Sequence, residues 1–393
     1  MRILLINDSA NPNTGAQNRL VVESCDWLAK KGHEVGLIYH DEHEMAATCK
    51  SFHVPERWPM RQRLLELNRV VDAFRPQVLQ NHSIKILPAL PPLASRYPTC
   101  VYLHNATAFC SAMDRMWRNG TSCHRRHGLN CLSAHYVMGC GSKKPVSNWQ
   151  RWRATQEHIQ LRQTHNIRFQ VPSRFLREGL LENRFPESRI DVVPPFVQPP
   201  ACEEVRVPGL MLAPGNLTET DGISLALEAA AKMINVPWSL VVMGDGPQRD
   251  ELQALARRLG IERRVQWLGN LPITERSKWF CRAQFVLLPS RRPDPFSLVG
   301  LEAFAHGRPV VTFDAGAVHE WLLADETGLI VSKYSAALYS NSMEELLNNP
   351  ARCRLMGASA RVRSADFHPA IYADHLLGSL EKCQSDFLPE KAP

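Results

Sequence analysis

The residues best equipped for chemistry lie in one short segment, Pro289-Ser290-Arg291-Arg292-Pro293-Asp294-Pro295-Phe296-Ser297-Leu298-Val299-Gly300-Leu301-Glu302. It reads as the end of a strand, a turn, and the start of a helix. Ser297 is a cap candidate, because a serine hydroxyl can accept from the N–H groups that open a helix. The unpaired N–H groups near Ser297 and Leu298, with the positive end of the helix dipole, stabilise an anion such as a diphosphate. Asp294 before the helix and Glu302 a turn inside it are acceptors for sugar hydroxyls. Arg291 and Arg292 add planar guanidinium forks, which suit phosphate oxygens.

Such a site needs a strand to deliver Asp294 and a helix to carry Glu302, and the sequence supplies both in a repeating rhythm. Residues 1 to 7 read as a buried strand, Asn11 to Gly15 as a turn-rich loop, Leu20, Val21, Ser24 and Leu28 as one face of a helix, and Glu34 to Tyr39 as a second strand. That is a βαβ unit. The alternation continues through strands at Gln77 to Gln80 and Cys100 to His104, then breaks for about forty residues. It resumes at Arg168 to Val171 and Asp191 to Val193. Pro194-Pro195 with Pro199-Pro200 reads as a linker. Beyond it, strands at Leu210, Ser239, Val265, Phe285, Pro309 and Gly328 alternate with helices. The expected architecture is α/β: two doubly wound domains, 1–198 and 205–367, facing each other across a cleft, with a helix at about 368–386 packing back on the first.

Composition agrees with folded domains of this kind. The chain has 393 residues, 44% hydrophobic and 22% charged, with a formal net charge of +7. Disordered, collagen-like and disulfide-scaffold classes are therefore excluded. The apolar run at the start is short and ends at a turn, so it reads as a strand and not as a signal-peptide core. No run is long enough to span a membrane. A cytosolic setting is expected, with the eleven cysteines mostly reduced.

The Asp294 to Glu302 segment resembles the E-x7-E signature of family-4 retaining glycosyltransferases, which have the GT-B fold. Gly244-Asp245-Gly246-Pro247 is similar to the family's G-x-G-P turn, and Leu268-Gly269-Asn270-Leu271 to its strand end beside the nucleobase. Ala315 to Glu320 with Thr327-Gly328-Leu329 resembles its closing pattern. Thr14-Gly15-Ala16-Gln17 stands where the family has a glycine-rich loop, and Asn81-His82 and His104-Asn105 where it keeps cleft histidines. The resemblance implies that Glu302 binds ribose hydroxyls, Asp294 contacts the donor sugar, Gly15 and Ala16 let backbone approach the diphosphate, and His104 lies near the reacting sugar. Asn216, Gly244, Gly246, Leu271, Phe296, Ser297 and Leu298 complete the expected donor site.

Two departures stand out. The family's G-R-L and following Lys grip the diphosphate, whereas this chain has Gly215-Asn216-Leu217-Thr218-Glu219-Thr220-Asp221-Gly222. Buried phosphates need opposing charge or several donors, and Arg291 and Arg292 are the substitutes that the sequence offers. Asp294 replaces the family's Glu and is shorter by one methylene.

The break after His104 carries Cys110, Cys123, Cys131 and Cys140. Reduced buried thiols and a structural zinc site are both open, because no tight C-x2-C spacing is present. The same stretch is basic and aromatic: Arg115, Arg118, Arg125, Arg126, Lys143, Lys144, Arg151 and Arg153 face only Asp114, among Trp117, Tyr136, Trp149 and Trp152. A patch of this kind suits either an anionic membrane surface, extended by Arg57 to Arg63, or a flap over an acceptor. No nucleic-acid-binding module surrounds it.

The resemblance implies transfer of a sugar from a nucleotide-diphosphate donor to an acceptor glycan, with retention and without a catalytic metal or cofactor. The basic insert suits a lipid-linked glycan of bacterial surface polysaccharide synthesis, placing the chain in the cytoplasm or on the inner face of the cell membrane. The alternatives are a GT-B sugar-nucleotide epimerase or hydrolase, and a donor-binding scaffold without activity.

Overall fold

The computed structural model describes residues 1–41, 49–113, 115–117, 121–140, 144–198 and 206–388. Asp114, Arg118, Lys143 and Pro199-Pro200 lie outside the described residues. The chain divides into two compact units, Met1–Pro195 with Pro369–Pro393, and Phe196–His368.

The first unit begins β1 (Arg2–Ile6), α1 (Ala16–Lys30), β2 (Glu34–Tyr39), β3 (Lys50–His53), α2 (Met60–Phe74) and β4 (Val78–Asn81). It continues α3 (Leu90–Ala94), β5 (Thr99–Tyr102), α4 (Asn130–Val137), α5 (Pro145–Gln160), β6 (Ile167–Val171), α6 (Arg174–Glu182) and β7 (Ile190–Val192). The strands form one parallel sheet in the order β3-β2-β1-β4-β5-β6-β7. Ile3 to Ile6 are wholly buried, as a central parallel strand covered on both faces requires. Helix α1 turns Leu20, Val21, Ser24 and Leu28 inward, the face that its periodicity predicts.

The second unit runs β8 (Leu210–Pro214), α7 (Ile223–Lys232), β9 (Ser239–Met243), α8 (Arg249–Arg258), β10 (Val265–Gly269), α9 (Ile273–Arg282) and β11 (Phe285–Leu288). Then follow α10 (Leu298–Ala305), β12 (Val310–Phe313), α11 (Val318–Trp321), β13 (Gly328–Val331), α12 (Ala336–Asn348) and α13 (Pro350–Ser364). Its parallel sheet has the order β10-β9-β8-β11-β12-β13. In each sheet the order reverses once, between β1 and β4 and between β8 and β11. Loops leaving the carboxyl ends of strands at such a reversal form the crevice where open α/β sheets bind ligands.

A last helix, α14 (Pro369–Ser385), belongs to the first unit. The Ser24 hydroxyl donates to the Tyr372 hydroxyl at 3.0 Å, and Gln170 Nε2 to Ser379 Oγ at 2.9 Å. Arg168 bridges Asp191 and Asp386, and Ser379 Oγ donates to Asp191 at 2.7 Å.

Two regions depart from the sequence reading. Strand β3 was not expected, because it is an edge strand with three of its four residues exposed and only Phe52 turned toward the core. The stretch after His104 contains two helices where an irregular segment is expected. Helix α5 buries Asn148, Thr155, His158 and Ile159, a face too polar to show an apolar period. Its polar groups find partners: Thr155 Oγ1 donates to the Thr107 carbonyl at 3.0 Å, and His158 Nδ1 lies 2.9 Å from the Ala154 carbonyl.

Candidate functional site

The strand-turn-helix reading of the Asp294 segment holds in the structure. β11 ends at Leu288, α10 starts at Leu298, and Ser297 Oγ accepts from the Gly300 N–H at 3.1 Å. The turn is pinned from both sides. Asp294 Oδ1 accepts from the Phe296 N–H at 3.1 Å, and the Asp294 carbonyl accepts from the Ala317 N–H at 2.9 Å. Phe296 packs on Phe367 with ring centroids 5.5 Å apart. Burial pushes the Asp294 carboxyl up from its ordinary value, opposed by its bonds with Ser297 and Phe296 and by the charge of Arg292.

Glu302 is 5% exposed, and Arg276 on α9 donates to its Oε2 at 2.8 Å. A carboxylate buried this far needs a charged partner. The sequence reading missed Arg276, because nothing in α9 separates it from Lys278 and Arg282 until the fold brings α9 beside α10. The Ser277 hydroxyl, 2.8 Å from His306 Nε2, marks the same contact.

The loop after β8 explains one departure. Asp221, where the family has Lys, accepts from the Asn216 and Thr218 N–H groups at 3.0 and 3.2 Å and closes a capping box on Glu219–Asp221. The acid thus organises the loop by absorbing its own backbone donors. Arg292 comes over this loop, its Nη2 donating to Thr220 Oγ1 at 2.8 Å. Arg291 is tied by its backbone alone, its N–H to the Thr220 carbonyl at 2.8 Å and its carbonyl to the Tyr334 hydroxyl at 2.6 Å, and its side chain is exposed. The two arginines are therefore not equivalent, and Arg292 is the one whose charge acts on the Asp294 carboxyl.

Gly244 and Gly246 press the loop after β9 onto the loop after β8. A Cβ at Gly244 would lie 1.8 Å from the Gly215 carbonyl oxygen, and one at Gly246 1.8 Å from that of Asn216. Gly244 also has φ 128° and donates to the Gly269 carbonyl at 2.8 Å, so the loops after β8, β9 and β10 are laced together by backbone. Half-buried Leu271 follows two residues beyond Gly269.

In the first unit, the loops after β1, β4 and β5 gather a second polar group. His82 Nδ1 lies 2.9 Å from His104 Nε2, and both rings contact Tyr102, with centroids 4.7 to 5.2 Å apart. The Tyr102 hydroxyl donates to the Val193 carbonyl at 2.8 Å, fixing the stack. Burial lowers His104 to about 3 and holds His82 well below its ordinary value, so both imidazoles are neutral at pH 7. Buried His82 Nε2 has no hydrogen-bond partner among the described residues. Gln17 Nε2 donates to the His82 carbonyl at 3.3 Å, tying α1 to this corner. Gly15 caps α1 with φ 154°, and a side chain there would meet open space; Ala16, the first residue of the helix, is exposed.

The insert cysteines do not assemble a metal site. Among the described residues no group of three or more His, Cys, Asp or Glu side chains is placed to hold a metal ion. Cys110, Cys123, Cys131 and Cys140 instead line one cavity. Arg63, expected to extend the basic surface, is 7% exposed and belongs to the interior. Arg125, Arg126, Lys144, Arg151 and Arg153 are exposed. No described helix is long and apolar enough to cross a membrane.

Two all-parallel, doubly wound sheets with ligand-competent switch points define the GT-B class of sugar-transfer folds. The fold agrees over nearly the full chain with sucrose-phosphate synthase from Thermosynechococcus elongatus, at a TM-score of 0.74 and 18% identity, covering 97% of this chain and 98% of that one. Anabaena HepE in complex with UDP and glucose gives a TM-score of 0.71 at 15% identity, covering 97% and 99%. The family model described as Glycosyltransferase Family 4 matches residues 17–199, and that described as Glycosyl transferases group 1 matches residues 206–363. The chain belongs to the group 1 glycosyltransferases of the family-4 type. Among its relatives, a D-inositol 3-phosphate glycosyltransferase from Catenulispora acidiphila is 30% identical over 179 residues, 43% of each protein. A glycogen synthase from Mycobacterium tuberculosis is 31% identical over 163 residues, 41% of this chain and 39% of that protein. These matches thus span less than half the length of either relative.

Proposed function

We propose that this chain transfers a hexose from a nucleoside diphosphate donor to an acceptor glycan with retention of configuration. The observation that supports this most is the α10 entrance, where Asp294 and buried Glu302 flank a helix N-terminus capped by Ser297. In this reading Glu302, oriented by Arg276, accepts from the ribose hydroxyls, and Asp294 accepts from the donor sugar. The α10 N–H groups near Leu298, with Arg292, stabilise the departing diphosphate. The bond from the anomeric carbon to the diphosphate oxygen breaks, the acceptor oxygen bonds to the same face, and the acceptor proton passes to the leaving phosphate. His104 is the first-unit residue that the family resemblance assigns to the reacting sugar, and a neutral imidazole suits an oxocarbenium-like transition state that a cation would oppose. No metal is assigned a role.

The acceptor is proposed to be lipid-linked and met at an anionic membrane surface, as in surface polysaccharide synthesis. Leu129, Tyr136, Val137, Val146 and Trp149 are 50% to 80% exposed on and beside α4 and α5, among the exposed cations of the same insert. Exposed apolar groups ringed by cations suit a headgroup interface, at about 1 kcal/mol per cation. HepE, whose complexes contain UDP and UDP-glucose, makes UDP the first donor base to try.

A second reading, a donor-binding scaffold without turnover, is favoured by Asn216 and Asp221 in place of the family's cations. Calorimetric titration with UDP, GDP, ADP and CMP, followed by their sugar conjugates and release of nucleotide with acceptor lipids, separates the two. Binding with turnover supports transfer, binding alone supports the scaffold, and silence from all of them refutes both.

A further inference from the structure

The insert between β5 and β6 encloses a cavity of about 440 Å³ that the donor chemistry leaves unused. Its size falls within the range of small-molecule sites. Phe109, Met116, Trp117 and Ala134 give it an apolar lining, and four thiols add soft, weakly polar surface. Among the described residues every charged side chain lining it is an arginine, and none is a carboxylate. Arg115 is spoken for: it pairs with Glu182 and lies over the Phe109 ring at 5.4 Å. Arg125 and Arg126 are exposed and have no carboxylate partner among the described residues; Arg125 lies over the Trp117 ring at 5.5 Å.

Two buried polar atoms in the lining side chains, Trp117 Nε1 and His135 Nδ1, have no partner among the described residues. His135 is 3% exposed, and its other nitrogen is 2.8 Å from Ser111 Oγ. A buried donor left without an acceptor costs about 1–3 kcal/mol, which a ligand acceptor would recover. The enclosure therefore asks for an apolar body with an anionic oxygen head. It begins at Phe109, five residues beyond His104, and shares the insert with the exposed apolar groups of α4 and α5.

We infer that this cavity binds the lipid phosphate of a long-chain phosphate ester, the chain among Phe109, Met116 and Trp117 and the phosphate at Arg125 and Arg126. This rests on the lipid-linked reading of the acceptor and gives it an address: the insert holds the lipid phosphate, beside the corner that carries His104.

The cysteines report occupancy directly. The purified full chain is treated with N-ethylmaleimide, and the alkylation rate of each cysteine is followed by peptide mass spectrometry. The additions are decyl phosphate below its micelle concentration, decyl maltoside, or inorganic phosphate. Decyl phosphate is expected to slow alkylation at Cys110, Cys123, Cys131 and Cys140 while leaving Cys49 unchanged. It is expected to bind about tenfold or more tighter than inorganic phosphate, and to lose about tenfold in affinity when Arg125 and Arg126 are both replaced by Ala.

Equal protection by inorganic phosphate would reduce the site to an anion patch, and equal protection by decyl maltoside would remove the role of the arginines; either overturns the inference. Ala134→Trp fills the cavity and should abolish binding, so retained binding in a folded variant overturns it too. If that variant fails to fold, the protection map of the native chain decides alone. No nucleotide is present, so failure here is distinct from failure of donor binding.

Discussion

Substitution of Gly246 by alanine tests whether the laced loops of the second unit form the nucleotide site. The added methyl would lie 1.8 Å from the Asn216 carbonyl oxygen, 2.9 Å from its carbon and 3.1 Å from the Leu217 carbonyl oxygen. These obstacles are backbone and cannot rotate away, so the loops after β8 and β9 must part by about 1 Å or more before the contact reaches 3.0 Å. Overpacking of this kind costs about 1–3 kcal/mol of stability, within what a domain of this size tolerates. Displacement of a binding loop by about 1 Å is worth up to about 100-fold in turnover, and a tenfold loss of affinity corresponds to about 1.4 kcal/mol. Isothermal titration with UDP, beside a thermal melt, separates the two effects. UDP affinity should fall at least about tenfold in a chain that remains folded. Gly378→Ala, where a methyl meets nothing within 4 Å, is the control and should bind UDP like the parent. A folded Gly246→Ala chain with unchanged UDP affinity would refute the assignment of these loops to the donor.

Glu302→Gln keeps the shape of the side chain and removes its charge. It should lower UDP affinity by about 10- to 100-fold, at about 1.5–3 kcal/mol for charge-assisted bonds, with Arg276→Met lowering it as well and the double variant showing less than the summed effect in the same titration. Arg292→Ala should weaken UDP while leaving uridine unchanged, and Arg291→Ala should change neither; equal effects of the two would return both to the surface. Acid stability follows from the buried histidines. Below about pH 6.5 the unfolded chain takes up protons that folded His104 refuses until about 3, so stability is lost as pH falls through that window, by up to about 1.4 kcal/mol per pH unit for one imidazole. Urea midpoints between pH 7 and 4 should decline, and His82→Asn with His104→Asn should flatten the decline.

The rhythm of strands and helices was legible because buried parallel strands are unbroken apolar runs and the Asp294 turn carries its own cap. β3 and α5 were hidden for the opposite reason: one is an exposed edge and the other buries polar side chains. The candidate site divides in the same way. Asp294, Ser297 and Glu302 are local to one turn and can be read along the chain, whereas Arg276 and the pairing of His82 with His104 exist only through packing between elements. The role of Asp221 was invisible because a residue type alone does not say whether its charge faces a ligand or its own backbone.

The placement of α14 bears on how the protein is made. The strands of the first unit leave the ribosome early, yet the helix that supplies Tyr372 to Ser24 and Ser379 to Gln170 follows all of the second unit. Closing contacts over 348 residues is slow in folding, and an unclosed sheet exposes apolar surface while it waits. The second unit, contiguous from Phe196 to His368, can complete itself first. Newborn chains should therefore pass through a stage in which the later-made domain is native and the earlier-made one still lacks its closing helix.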